Sequence, residues 1–264
     1  MNRRHRVSLE GVELDSLDSR IVIQSISEAT GKESRNTVST GGPWGQRVTA
    51  RRRDSLDVQI GYGIDIKGNN MQGRETVMEA VNAWAAGGGY LRIGYKGNRR
   101  LYVRQVDPAG AGDPANWTSN YTITFRADGI PYWEEDTEYG TCTAAADTSG
   151  SERLDVGGNT ATAAEAEMTN ESGGTVNTAD ITIGASTMLF TGLGLEDGET
   201  LVIDHTAEGL LRIRIRSGNS YRSAMSARTA ESDDDFYVEP GERSARFRAE
   251  GECSLTVRAR GRFL

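Results

Sequence analysis

An unbroken alternation of residue types runs through residues 56–66, LDVQIGYGIDI. Apolar or aromatic side chains occupy every second position of this segment: Leu56, Val58, Ile60, Tyr62, Ile64 and Ile66. Because successive side chains of a β-strand point to opposite faces, a period of two predicts a strand with one buried face. Shorter alternating segments recur throughout the chain. The sequence therefore predicts a mainly β fold.

One segment follows a helical period instead. Within NMQGRETVMEAVNAWAAGGG, the residues Val77, Ala80, Val81 and Trp84 are spaced as one face of an α-helix. Three glycines at positions 87–89 follow, and glycine readily adopts the left-handed conformation that ends helices. The first part of the chain is therefore predicted to be a β module with one inserted α-helix.

Charge and composition divide the chain in two. Residues 134–150, EEDTEYGTCTAAADTSG, are polar and without a period, so we predict domains at 1–136 and 137–264. The first domain has 18 basic and 17 acidic residues, whereas the second has 12 and 21. An acidic second half disfavours general nucleic-acid binding, which requires clustered positive charge. Only 36% of residues are hydrophobic, which suits thin β-layers better than one thick core.

The second domain is predicted to be a β-sandwich or jelly roll. Its candidate strands are short and are separated by turns at roughly eight-to-twelve-residue spacing, which is typical of such folds. The last 32 residues, DDDFYVEPGERSARFRAEGECSLTVRARGRFL, predict three antiparallel strands that complete one sheet. Cys142 and Cys253 have no spacing typical of a disulfide framework or a zinc site, so two reduced thiols are predicted.

No combination of residues predicts catalysis, a metal site or a cofactor. Asp204 and His205 are adjacent, but no Gly-x-Ser-x-Gly nucleophile elbow accompanies them. The acidic run at 134–136 contains the two carboxylates that glycoside hydrolysis requires, yet neighbouring side chains of an extended segment point apart. The acidic run at 233–235 lacks the glycine and closing glutamate of a calcium loop. We therefore predict a protein that is not an enzyme.

Basic residues and two aromatic residues are the candidates for an assembly surface. Arg51, Arg52 and Arg53 form a basic run directly before the long alternating strand. Arg212, Arg214 and Arg216 alternate with apolar residues, which places three guanidinium groups on one face of one strand. For a protein assembled from copies of itself, we take the following residues as candidates for the interface or for a central bore: Arg51, Arg52, Arg53, Tyr62 and Trp84.

The order of these segments resembles a known family. In the first domain the resemblance lies in the strand at Val7–Leu9 and in RDSLDVQIGYGIDI, RETVMEAVNAWAA, YLRIGYKGNRRLYVRQV and NYTITFRADGIPYW. In the second it lies in GLEDGETLVIDH and DDFYVEPGERSARF. Over nearly its whole length the chain resembles the distal tail proteins of siphophages, the bacteriophages with long, non-contractile tails. It departs from the family at Glu242, where an Asn is expected soon after the Pro-Gly turn, and it has no obvious long arm for a receptor-binding protein.

The resemblance implies a structural virion protein in the tail-tip or baseplate hub. It implies a homo-hexameric ring in which the first domain, a β-barrel or sandwich called the belt domain, surrounds the bore. The second domain is implied to be a galectin-like sandwich outside the ring. The implied partners are the tail tube protein, the tail-tip (tail-associated) protein and the tape measure protein, with DNA passing through the bore without specific binding.

Two expectations concern where the protein is found. The first residues, MNRRHRVSLEG, have no apolar segment behind their charges, so synthesis in the bacterial host cytoplasm is expected before incorporation at the virion tail tip. No apolar run approaches the ~18 residues of a membrane-spanning helix, so membrane insertion is not predicted.

A carbohydrate-binding protein that acts in host attachment is the alternative function. Trp117, Trp133 and Tyr221 are the candidate platforms on which a sugar ring could stack. All four tryptophans precede the second domain, which disfavours this alternative, because aromatic faces supply much of the energy of sugar binding.

Overall fold

The computed structural model describes residues 6–31, 33–39, 46–53, 55–65, 71–108, 120–146, 149–206 and 209–264. It is mainly β, as the sequence predicts. The chain divides into two compact units, Met1–Trp133 and Glu134–Leu264, whereas the sequence placed the boundary between residues 136 and 137. Among the described residues, no helix has the length and hydrophobicity needed to span a membrane.

The described residues of the N-terminal unit form antiparallel strands, two α-helices and one 3-10 turn at Gly94–Lys96. Its elements are β1 (Val7–Leu9), β2 (Val12–Glu13), α1 (Leu14–Leu17), β3 (Ile21–Thr30), β4 (Glu33–Ser39), β5 (Gln46–Arg53), β6 (Leu56–Ile64), α2 (Met71–Ala86), β7 (Gly89–Ile93), β8 (Arg99–Asp107) and β9 (Asn120–Ala127). One run of pairing is β2-β1-β7-β8, a second is β8-β9-β6-β3, and β4 pairs with β5. These sheets are open and form no closed barrel among the described strands, so the barrel form of the predicted belt domain is not observed.

Strand β6 is the centre of the second run, and it confirms the predicted alternation. Leu56, Val58, Ile60, Tyr62 and Ile64 are all buried. The sixth alternating residue, Ile66, lies outside the described residues. Because β6 is paired with β3 on one edge and β9 on the other, its apolar face has neighbours on both sides.

Helix α2 confirms the predicted helix. Its buried apolar residues Val77, Val81 and Ala85 are spaced by four, while Ala80 and Trp84 are half-buried beside them. The helix ends as predicted at the glycines. Gly88 has φ +61° and donates its N–H to the Ala85 carbonyl at 3.0 Å.

The C-terminal unit is a β-sandwich. Its strands are β10 (Trp133–Ala146), β11 (Ser149–Val156), β12 (Thr162–Asn170), β13 (Ala179–Ile183), β14 (Ser186–Phe190), β15 (Thr200–His205), β16 (Leu211–Ser217), β17 (Ser220–Ser223), β18 (Tyr237–Val238), β19 (Gly241–Ala249) and β20 (Cys253–Phe263). One sheet has the order β17-β16-β15-β12-β20, with β18 also on β12, and the other has the order β11-β19-β13-β14. A single apolar cluster takes side chains from both sheets.

The final three strands do not form one sheet, so that prediction was wrong. Strand β19 pairs with β11 and β13 in one sheet, whereas β20 and β18 pair with β12 in the other. The alternation correctly placed Phe247 and Val257 inward, but alternation does not specify which strand is the partner.

Cysteine Cys253 is a buried free thiol at the start of β20. Burial is the main cause that raises its pKa to about 11, and the nearby Glu171 and Glu252 add to the effect. The side chain of Cys142 lies outside the described residues.

Candidate functional surfaces

Two of the predicted interface or bore residues are engaged inside the N-terminal unit. The Tyr62 side chain is fully buried and stacks on Tyr121, with ring centroids 5.4 Å apart. Trp84 donates its indole N–H to the Val12 carbonyl at 3.1 Å and contacts Phe125 edge to face. Both side chains therefore have contacts within their own chain. An interface or bore role for them stays a prediction, and the burial of Tyr62 does not favour it.

The arginine run lies on β5, which pairs antiparallel with β4. Arg51, Arg52 and Arg53 are in register with Arg35, Ser34 and Glu33 of β4. The side chains of this hairpin lie outside the described residues. The predicted role of the three arginines at an interface or bore therefore stays a prediction.

A half-buried carboxylate ties together separate segments of the N-terminal unit. Glu28 on β3 accepts hydrogen bonds from the Tyr95 hydroxyl, the Lys96 ammonium and the Trp133 indole, at 2.9–3.0 Å. Burial alone would raise the pKa of Glu28, but the three hydrogen bonds outweigh burial and lower it. Burial, and after it the hydrogen bond to Glu28, raises the pKa of Tyr95 to about 12. Trp133 is itself buried, so it presents no platform for a sugar.

Strand β3 lies at one edge of its sheet among the described strands. Among the described strands it pairs only with β6, although it is ten residues long. Val22 on this strand is 51% exposed. A long edge strand presents unpaired backbone groups that can bind a strand of another chain.

The outer face of the sheet β17-β16-β15-β12-β20 carries a cluster around Asp204. The guanidinium groups of Arg212 and Arg214 bind this carboxylate with N···O distances of 2.8 and 2.7 Å. Arg214 also lies 4.4 Å from the centroid of the Tyr221 ring. One face of Tyr221, a candidate sugar platform, is therefore covered by a cation of its own chain.

A second cluster on the same face is centred on Glu167. Its carboxylate binds Arg216 at 3.1 Å and Arg258 at 3.0 Å. With Arg212 and Arg214, Arg216 completes the set of alternating arginines, and all three are partly exposed as the sequence predicts. They form ion pairs across strands.

The acidic runs have structural contacts. The Glu134 carboxylate accepts a hydrogen bond at 2.8 Å from Arg262, whose side chain is 5% exposed. In the second run, Asp233 accepts the Thr187 backbone N–H at 2.6 Å, and Asp234 binds Arg228 at 3.1 Å. Among the described residues, no group of three or more acidic, histidine or cysteine side chains could hold a metal ion.

His205 lies in an enclosed position at the end of β15. Its ring centroid is 5.6 Å from that of Tyr237, and neither ring nitrogen has a hydrogen-bond partner among the described residues. Burial lowers the pKa of His205 below its ordinary value of 6.5, and the positive charge of Arg262 lowers it further. The negative charges of Asp235 and Asp204 raise the pKa of His205, and the positive charge of Arg212 lowers it.

We expect His205 to make the protein less stable in mild acid. Because its pKa is lower in the folded chain, the unfolded chain binds the extra proton as the pH falls below about 6.5. The contribution of neutral His205 to the stability is therefore fully present above pH 6.5 and is lost as the pH falls below that value. His205→Phe should therefore reduce the fall in melting temperature between pH 7.5 and pH 5.5. Equal pH profiles for His205→Phe and wild type would contradict this expectation.

A groove opens between two turns of the C-terminal unit. It lies beside the β13–β14 turn and the first residues of β19 and has a volume of about 560 Å³. Its polar lining includes Ser186, Tyr237, Glu239, Glu242, Arg243 and Ser244. The sequence pattern does not indicate this set, because a Pro-Gly pair at residues 240–241 predicts only a turn between strands.

The complete fold matches that of a solved phage protein. It aligns over 98% of this chain and 99% of the other with the Dit (gp 19.1) protein of phage SPP1, at a TM-score of 0.66 and 12% identity. This chain has the fold of SPP1 Dit. That protein is described as a paradigm of the hub adsorption apparatus in phages that infect Gram-positive bacteria.

Two further structures are more distant. They are the phage p2 baseplate in its activated conformation with Ca, at a TM-score of 0.47 and 9% identity, and the same baseplate with Sr, at 0.48 and 10%. The alignments cover 97% of this chain in both cases, with 97% of the first baseplate chain and 96% of the second. No protein-family model and no curated protein matches the sequence.

Proposed function

We propose that this protein is the distal tail, or hub, protein of a siphophage. The observation that carries the proposal is the match to the SPP1 Dit fold across both units and nearly the full length of both chains. A match to only one unit would leave many functions open, because β-sandwiches serve many roles. A match to both units in the same order favours the role of the hub, which is to connect the tail tube to the tail tip or baseplate.

In this role the chain forms a homo-hexameric ring whose N-terminal units surround the bore. Ring closure requires two different surfaces that bind each other around an axis. The available edge of β3 is suited to such an interface. The near balance of charge in residues 1–136 is compatible with DNA sliding through the bore, since each neutralised phosphate adds affinity.

In this role the ring binds the tail tube protein, the tail-tip (tail-associated) protein and the tape measure protein. The protein is made in the cytoplasm of the host and is incorporated at the tip of the virion tail. The galectin-like C-terminal unit lies outside the ring. In this role the chain positions other proteins and catalyses no reaction.

Light scattering on the purified protein tests the ring. We expect a mass near six times 28.6 kDa. Val22→Glu places a charge on the edge strand β3 and should reduce the proportion of the large species. Met225→Glu changes a residue of similar exposure in the C-terminal unit and should leave the mass unchanged. A monomer at all concentrations would contradict the ring, and equal masses for both variants would exclude β3 from the interface.

A further inference from the structure

We propose that the groove beside Tyr237 binds a neutral saccharide. This inference does not depend on the hub role, because every residue of the groove belongs to one C-terminal unit. The volume of about 560 Å³ lies within the range of about 300–1,000 Å³ that is usual for small-molecule sites. It is large enough for a short oligosaccharide.

Tyr237 provides an aromatic surface that is already fixed. Its backbone pairs with Ala163 of β12, and its N–H donates to the Ser186 hydroxyl at 3.3 Å. The His205 ring packs against it, at a centroid distance of 5.6 Å and an angle of 34° between the planes. The ring thus loses little conformational freedom when a ligand binds. The apolar face of a sugar ring stacks on such a surface.

Hydrogen-bond acceptors and donors lie around this aromatic ring. Glu239 and Glu242 are exposed, and both line the groove. Arg243 donates one N–H to the Glu242 carbonyl at 2.9 Å, which fixes its guanidinium group near the groove. Its aliphatic stem lies beside Gly184, where a side chain would approach the Arg243 Cδ to 3.5 Å.

The mixture of charges favours a neutral ligand. Two carboxylates disfavour a phosphate or another anion, and the guanidinium of Arg243 disfavours a cation. A sugar instead donates hydroxyl protons to Glu239 and Glu242 and accepts hydrogen bonds from Arg243. An aromatic residue with a few convergent polar groups is typical of a site that fixes the orientation of its ligand.

Titration calorimetry on the full-length protein tests this site. The probes are lactose, maltotriose and tri-N-acetylchitotriose, each at millimolar concentration. We expect saturable binding of at least one. Glu242→Gln and Arg243→Gln should each weaken that binding about tenfold or more, because each removes a charge-assisted hydrogen bond. Both positions are at the surface, so the variants should fold normally.

Arg246→Gln is the matched control. Arg246 is exposed on the same strand, β19, but it is outside the groove, so its removal should leave the affinity unchanged. The inference is wrong if none of the three sugars binds, or if all three variants lose affinity equally. It is also wrong if inorganic phosphate or spermidine binds more tightly than every sugar. None of these outcomes affects the mass of the ring, so failure of this inference is distinguishable from failure of the hub role.

Discussion

Glu134→Gln is expected to lower the stability of the C-terminal unit by about 3 kcal/mol, because it removes one partner of a buried ion pair. Arg262 is 5% exposed, and the Glu134 carboxylate lies 2.8 Å from its Nε. Glutamine keeps the volume but not the charge, so the enclosed guanidinium loses the carboxylate that is bound to it. For a unit of this size, the melting temperature should fall by about 10 °C.

Two further variants determine whether charge is the cause. Asp234→Asn removes one partner of an exposed pair in the same unit, where the aspartate side chain is 99% exposed, so it should cost less than about 1 kcal/mol. The double variant Glu134→Leu/Arg262→Met removes both charges and should recover most of the loss. If the double variant were as unstable as Glu134→Gln, packing rather than charge would be responsible.

Gly158→Ala is the second substitution with a large expected effect. Gly158 has φ +101°, which L side chains rarely adopt, and its Cα faces the backbone of Arg262. A methyl group there would lie 2.6 Å from the Arg262 nitrogen and closer still to its carbonyl oxygen. Both neighbours are backbone atoms and cannot rotate away. Strain and overlap together should cost about 3 kcal/mol or more.

Gly218→Ala separates the strain of a positive φ from the overlap with neighbouring atoms. Gly218 also has a positive φ, +58°, but no atom lies within 4 Å of the position a side chain would take. Its substitution should cost only the backbone strain of an L residue at positive φ, about 1 kcal/mol of stability. Urea unfolding of both variants measures the difference. Equal losses in the free energy of unfolding at the two positions would mean that the close approach to Arg262 does not contribute to the cost.

Local features of the fold could be predicted from the sequence because they repeat within one element. The alternation in β6 identified its buried face, and the helical spacing with its glycines identified both α2 and its end. The partner of a strand depends on residues far along the chain. For that reason Phe247 and Val257 were placed inward correctly, while their strands were wrongly placed in the same sheet.

The contacts that define the candidate sites are mostly long-range. Arg262 and Glu134 are 128 positions apart, and Trp133 binds a carboxylate 105 positions away, so no local pattern relates them. Tyr237 alternates with two buried neighbours, which indicates an outward side chain. The groove exists only because the β13–β14 turn, 51 positions earlier at Ser186, lies against it. The position of the groove therefore follows from the tertiary arrangement that brings these two distant segments together.

The hub role places this chain at the tip of a siphophage tail, and electron microscopy of virion tails labelled with gold-conjugated antibodies against the purified protein tests that role most directly. The hub role predicts label at the distal end of each tail, and rings with a central hole in images of the purified protein. Label on the capsid, label along the whole tail tube, or tails without label would contradict it.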